Sequence, residues 1–174
     1  MIYFISDTHF NHENIIKYCK RPFKSIKEMN ETLIKNWNSV VKNDDTIYHL
    51  GDLALGNLDD FKEIAQRLNG NKILIRGNHD KWKVKDYESL GFKVLKNPPI
   101  ELEEYKLILS HTPRPDKEIK DGYINVHGHI HNKVLNDLSY YPPESFDSKK
   151  HINISVDVTN FTPVSLDDIR KKAH

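Results

Sequence analysis

The apolar positions of this chain follow two rhythms. Short runs of strand-forming residues at 2–6, 46–50 and 72–76 predict β-strands. Between them the spacing is helical. Residues 12–19 predict a short helix and residues 25–41 a longer one. In the latter Ile26, Met29, Leu33, Trp37 and Val40 recur every three or four positions, and Ser25 and Glu28 have capping-box spacing. Leu58, Phe61, Ile64 and Leu68 form a third amphipathic stretch with Gly70 as its stop, and residues 86–90 a short fourth, ended by Gly91. The second half reads mostly as strands, at 92–95, 100–102, 106–110, 123–127 and 151–158. A helix over 165–172 closes the chain, with Ser165 as its N-cap. Strand–helix alternation implies parallel βαβ units. The strand-rich second half turns this into a layered α/β sandwich, and the chain is too short for a barrel of eight units.

Composition narrows the function classes. The 174 residues carry no repeat or linker, so one domain over 1–174 is expected. No apolar stretch approaches the ~20 residues that cross a bilayer, and no membrane partner is expected. The first apolar run is too short for a signal peptide and meets Asp7 and His9 at once. The single cysteine, Cys19, excludes an intrachain disulfide framework; a cytoplasmic protein is the expectation. Lys and Arg (26) nearly cancel Asp and Glu (25), which argues against an extended nucleic acid held by bulk charge. Nothing in the composition sets an oligomeric state. The unusual count is histidine, ten in all, and its placement carries the chemistry.

Five of the apolar runs end in polar residues of one kind. They lead into Asp7-Thr-His9, Gly51-Asp52, Gly77-Asn-His-Asp80, His111 and His127-Gly-His-Ile-His131. In open α/β sheets, ligands bind beyond the carboxyl ends of the strands, so adjacent strands would bring these side chains together. Imidazole, carboxylate and amide oxygen without thiolate suit Mn, Fe, Co, Ni or Zn. Asp7 and His9, like His129 and His131, are two apart and would share a side in extended chain. Gly51, Gly77 and Gly128 directly precede candidate ligands and allow close backbone approach. The donors outnumber the needs of one tetrahedral ion and fit two ions bridged by one carboxylate.

The ordered series Asp-x-His, Gly-Asp, Gly-Asn-His-Asp, a lone His and Gly-His-x-His, all between Asp7 and His131, resembles the signature of calcineurin-like metallophosphoesterases. The segment 12–38, with Arg21-Pro-Phe23 and Trp37-Asn38, is similar to a small single-domain bacterial and phage subgroup. The resemblance implies a four-layer αββα sandwich: two mixed β-sheets face to face with helices outside. It implies two divalent metal ions, Mn2+ first among Ni2+, Fe2+, Co2+ and Zn2+. Asp7, His9 and His131 would hold one and Asn78, His111 and His129 the other, with Asp52 bridging. It implies His79 as the group acting on the substrate phosphate and leaving group, with Asp80 orienting it. The implied reaction is phosphoester hydrolysis by a two-metal-activated hydroxide. A phosphodiesterase on a small nucleotide-like substrate is the favoured form. A phosphomonoesterase or pyrophosphohydrolase is the nearest alternative, and a non-catalytic scaffold or metal-storage protein the alternative of another class.

Other residues carry plainer expectations. His12, Arg21 and Arg114 are candidate substrate contacts, the two arginines being equally readable as solvated charges. His49 reads as structural, His127 as packing or as support for His129, and His151 and His174 as surface or satisfied core residues. Met29 and Trp37 read as core, Trp82 as surface, and Asn38 as a plain helix residue. Tyr140-Tyr-Pro-Pro143 reads as a loop past His131.

Overall fold

The computed structural model describes residues 1–135 and 145–173. The predicted loop at Tyr140 to Pro143, and His174, lie outside them. Strands β1 (Ile2–Ile5), β2 (Thr46–His49), β3 (Asn71–Ile75) and β4 (Phe92–Leu95) are parallel neighbours in one sheet. A second sheet runs β5 (Ile100–Leu102), β6 (Leu107–Leu109), β7 (Ile124–His127), β8 (His151–Asn153), with β5 antiparallel to the rest. A two-residue strand, β9 (Val164–Ser165), pairs antiparallel with β1 and closes the first sheet's edge. Both sheets are therefore mixed, as expected, and helices flank them.

The side-chain alternation of β1 builds the layers. Tyr3 and Ile5 point to one face and Phe4 to the other. The first face meets helices α1 (Glu13–Tyr18), α2 (Ile26–Val40), α3 (Leu58–Arg67) and α4 (Val84–Ser89), through Ile15, Met29, Leu33, Trp37, Phe61 and Tyr87. The second joins Leu50 and Ile75 to Leu107, Leu109, Val126 and Ile152 of the other sheet. Helix α5 (Leu166–Ala173) adds Ile169 to this inter-sheet layer. Apolar residues on both faces of the central strands are what a covered parallel sheet requires.

Local chemistry sets the element ends. Ser25 Oγ accepts from the Glu28 N–H at 3.2 Å and starts α2. Ser165 Oγ accepts from the Asp168 N–H at 3.1 Å and starts α5. Asn38 is more than a helix residue: it donates to the Arg67 carbonyl and accepts from the Asn69 N–H, tying α2 to the end of α3. Trp82 is half-buried, packed against Phe61 and Tyr87, and not simply surface. The largest departure is at 151–158, where one strand is expected. β8 stops at Asn153, whose side-chain oxygen accepts from the Ser155 N–H, and Val156–Val158 is a 3-10 turn. The Ile154 N–H still donates to the His127 carbonyl at 2.8 Å, and an isolated bridge, Ser6 to Ser155, then takes the chain over to the first sheet. Polar side chains of this segment are drawn into the site instead.

Candidate metal centre

Parallel strands put their carboxyl ends on one side. The turns after β1, β2, β3, β6 and β7 therefore deliver Asp7 and His9, Asp52, Asn78, His111, and His129 and His131 to one place. Main-chain bonds lock the turns together: Asp7 N–H to Gly51 O and His9 N–H to Asp52 O at 3.0 Å, and Gly128 N–H to His111 O at 2.9 Å. The two sheets are joined through Asp7, which accepts from the His129 N–H at 2.9 Å and from Ser155 Oγ at 2.8 Å. Gly128 makes this approach possible. A Cβ there would lie 2.0 Å from Ser6 Oγ and 2.3 Å from Asp7 Oδ2.

The donor atoms of the motif residues gather in two groups, and Cys19, Asp157 and His131 form a third among the described residues. Asp7, His9 and His131 offer ligand atoms within 4.8 Å of one another, and so do Asp52, His111 and His129. Asn78 joins the second, its Oδ1 3.0 Å from His111 Nε2. Asp52 lies between the groups, with Oδ2 3.5 Å from His9 Nε2 and 3.4 Å from His111 Nε2. Asp7, His9, Asp52 and His111 are buried, His129 and His131 half-buried, and Asn78 and His79 exposed at the rim. The centre is open on the His79 side.

The backbone is bent to achieve this. Asp7, His9, Asp52, His129 and His131 all have left-handed φ, between 50° and 70°. Such residues are uncommon outside glycine and concentrate at functional sites.

The electrostatics are those of a cation site. His111 Nδ1 donates to the Leu50 carbonyl at 2.8 Å. Its Nε2 lone pair then faces Asn78 Oδ1, Asp52 Oδ2 and His129 Nδ1, a set of acceptors that a proton or a cation must reconcile. His9 Nε2 is buried with no hydrogen-bond partner among the described residues. The donor set, imidazole, carboxylate and amide oxygen, fits a divalent transition ion. Burial pushes His9 down to about 2, although the Asp52 carboxylate pulls the other way, which favours the neutral ring that a cation requires. Burial alone would raise Asp52, but the His111 hydrogen bond and charge and the His79 N–H hold it well below the usual carboxylate range. His129 is lowered by burial and by His111.

The largest element that sequence reasoning missed is Asp157. Its Oδ2 accepts from His131 Nδ1 at 2.7 Å, leaving Nε2 to face the centre. Burial works against the charged ring, but the Asp157 hydrogen bond overrides it and pushes His131 up to about 10. Arg21 in turn grips Asp157 through Nε (2.9 Å) and Nη2 (3.0 Å), and donates to the main-chain carbonyls of Thr8 and Asp7. Arg21 is thus neither a solvated charge nor a free phosphate clamp. It is 5% exposed and its donors are spent on the walls of the centre.

Asp80 also differs from its expected role. Its carboxylate accepts from the N–H groups of Asp52 (2.8 Å), Leu53 (3.0 Å) and Gly77 (2.7 Å). It clamps the turns after β2 and β3 together, and is not spent on orienting the His79 ring. His79 is placed by its own N–H, which donates to Asp52 Oδ1 at 2.9 Å, and by edge contact with His9 at 5.6 Å between centroids. His12 stands beside both, 5.3 Å from His9 and 6.5 Å from His79. Arg114 lies on the opposite flank, in a cavity that Asn78 and His111 also line.

Among the described residues, the remaining histidines are structural. His49 Nε2 donates to Thr8 Oγ1 at 2.9 Å while its Nδ1 accepts from the Gly51 N–H at 3.1 Å. His127 is buried behind His129, with Nδ1 donating to the Gly128 carbonyl. His151 is buried and donates to Asp116.

A two-sheet α/β fold with helices outside and a histidine–carboxylate centre at the strand ends defines a metal-dependent hydrolase architecture. The family model for calcineurin-like phosphoesterases matches residues 1–170, and the chain belongs to that family. It is 47% identical over 173 residues to an uncharacterised protein of Methanocaldococcus jannaschii, spanning 98% of this chain and 89% of that one. It is 27% identical to the gene 66 protein of Mycobacterium phage L5, over 76% of this chain and 78% of that protein. Among solved structures, a protein of unknown function from Aquifex aeolicus matches with a TM-score of 0.74 at 31% identity, covering 98% of both chains. The Pseudomonas putida nuclease MPE shares the fold, with a TM-score of 0.51 at 21% identity over 75% of this chain and 61% of that one. Membership makes the chain a metal-dependent phosphoesterase. Among the described residues no helix is long and apolar enough to cross a membrane.

Proposed function

We propose that this phosphoesterase cleaves phosphodiesters of small nucleotide-like substrates and does so with a dinuclear centre, loaded with Mn2+ in preference to other divalent ions. The observation that carries the reading is the position of Asp52 Oδ2, 3.5 Å from His9 and 3.4 Å from His111, one residue from each donor group. Asp7, His9 and His131 would hold one ion, Asn78, His111 and His129 the other, and Asp52 both. A bound pair of divalent ions supplies Lewis-acid charge and a nucleophile at neutral pH.

The chain's own groups do the rest. Asp7 and Asp52 are the only carboxylates in the two donor groups. A pair of divalent ions would exceed their charge, which favours an anionic phosphoester. His79, exposed at the rim beside His9 and His12, would serve as the acid toward the leaving oxygen. Tyr18 is 72% exposed, with its ring centroid 6.2 Å from that of His12, and offers a stacking face to a base.

The test is Mn2+-dependent release of nitrophenol from bis-p-nitrophenyl phosphate, with Asp52→Asn as control. Turnover that is lost together with metal in the variant is the expected result. Faster release from p-nitrophenyl phosphate would make the enzyme a monoesterase. No turnover with any divalent ion would favour the scaffold.

A further inference from the structure

Beside the metal centre, on the side of Asn78 and His111, lies a cavity of ≈ 200 Å³. Pro99 and Thr112 line it together with two arginines, Arg76 and Arg114. Arg76 is anchored: its Nε and Nη2 donate to the Asp80 carbonyl at 3.2 and 2.5 Å and its guanidinium lies 5.9 Å from the Tyr87 ring centroid, while Nη1 has no hydrogen bond among the described residues. Arg114 is fixed at its main chain, where the N–H donates to Asn125 Oδ1 at 2.9 Å. Its Nη2 pairs with Glu118, and its Nε is buried with no partner among the described residues. A pocket lined by two guanidinium groups, one of them paired with Glu118, that shares Asn78 and His111 with the candidate metal centre suits an anion.

We infer that this cavity is a second phosphate subsite: the substrate carries, besides the scissile phosphoryl group, another phosphate that Arg114 and Arg76 bind. The inference rests on the phosphoesterase reading and adds a substrate class to it. The scissile group lies at the donor clusters, where Asn78 and His111 would be occupied as ligands. Arg114 and Arg76 line the same cavity as those two residues, so the anion they would meet is the one next to the scissile group. Two substrate types supply that chemistry, a strand or dinucleotide through its neighbouring phosphate and a nucleoside diphosphate through its pyrophosphate. Glu118 competes for Arg114, so removing its charge strengthens the subsite.

The test compares binding of thymidine 5′-monophosphate, thymidine 3′,5′-bisphosphate and thymidine 5′-diphosphate to the Mn2+-loaded protein by calorimetry. Hydrolysis of bis-p-nitrophenyl phosphate is followed in parallel. At least one doubly phosphorylated ligand is expected to bind roughly tenfold tighter than the monophosphate, as one added charge-assisted hydrogen bond allows. Which one does so tells strand from diphosphate. Arg114→Gln should erase that ratio and Glu118→Gln should raise it, with melting temperatures followed for both. Equal affinities in the unaltered protein would overturn the inference. So would a ratio unmoved in both variants, or an Arg114→Gln loss equal for all ligands, which would put Arg114 on the scissile phosphate. Loss of the diester hydrolysis alone, with the ligand ratio intact, would instead strike the phosphodiesterase reading and leave the subsite standing.

Discussion

Asp157 accepts a 2.7 Å hydrogen bond from His131 Nδ1 and thereby decides which nitrogen of that ring faces the metal centre. Carboxylates behind ligating imidazoles fix the tautomer and are worth about 10–100-fold in metal affinity. Asp157→Asn keeps the shape and removes the charge. It should weaken Mn2+ binding by about that factor in a calorimetric titration, with the melting temperature reporting on the fold. Unaltered affinity would show that His131 needs no such support.

Among the described residues His79 makes one hydrogen bond to the centre, from its main-chain N–H to Asp52, and its ring only packs edge-on against His9. His79→Ala should therefore keep the full metal content by elemental analysis and lose turnover by about 10²–10⁴, the usual share of general acid catalysis. The loss should be smaller for nitrophenol, which leaves readily as an anion, than for an alkyl alcohol. An equal loss for both leaving groups would remove His79 from the role of acid.

Gly128 sits where any side chain would strike Ser6 and Asp7. Gly128→Ala overpacks the seam between the sheets. It should cost about 1–3 kcal/mol in urea unfolding and impair metal binding through the displaced Asp7. A variant of full stability and full affinity would contradict the close approach.

His49, which is not itself a candidate ligand, makes a pH prediction. Its Nδ1 accepts from the Gly51 N–H and its Nε2 donates to Thr8, so the neutral tautomer is built into the hydrogen bonds. Burial lowers the ring from 6.5 to about 3, against a pull from Asp52. The unfolded chain therefore binds the extra proton first. The stability contribution is complete above pH about 6.5 and is lost as pH falls toward about 3, at up to about 1.4 kcal/mol per pH unit. His49→Gln should flatten the pH dependence of urea unfolding across that range in chelator. An unchanged slope would mean that other groups dominate.

The legible part of the molecule is the part in which signal and neighbour are close along the chain. Asp7, Asp52, Asn78, His111 and His129 each follow a short apolar run, so a strand and its polar turn can be read together, and parallel pairing then gathers the turns. Asp157 follows a strand that ends early and acts on Arg21, 136 positions away. No local pattern announces such a pair, and a lone arginine is by default a surface charge. The strand expected over 151–158 fails for the same reason. Its alternation of polar and apolar residues is real, but Asn153, Ser155 and Asp157 spend their polar groups on the main chain, Asp7 and His131. Asp80 shows a subtler limit: its place in the motif is visible, whereas its three main-chain N–H partners come from two separate turns.

The left-handed turns have an evolutionary price tag for robustness. Each of Asp7, His9, Asp52, His129 and His131 holds a conformation that disfavours its own side chain by on the order of 1 kcal/mol. Selection for heat tolerance and selection for cation capture thus pull these codons apart. A library screened only for survival at high temperature should accept glycine at these turns wherever the packing lost with the side chain is small, and emerge sturdier and inert.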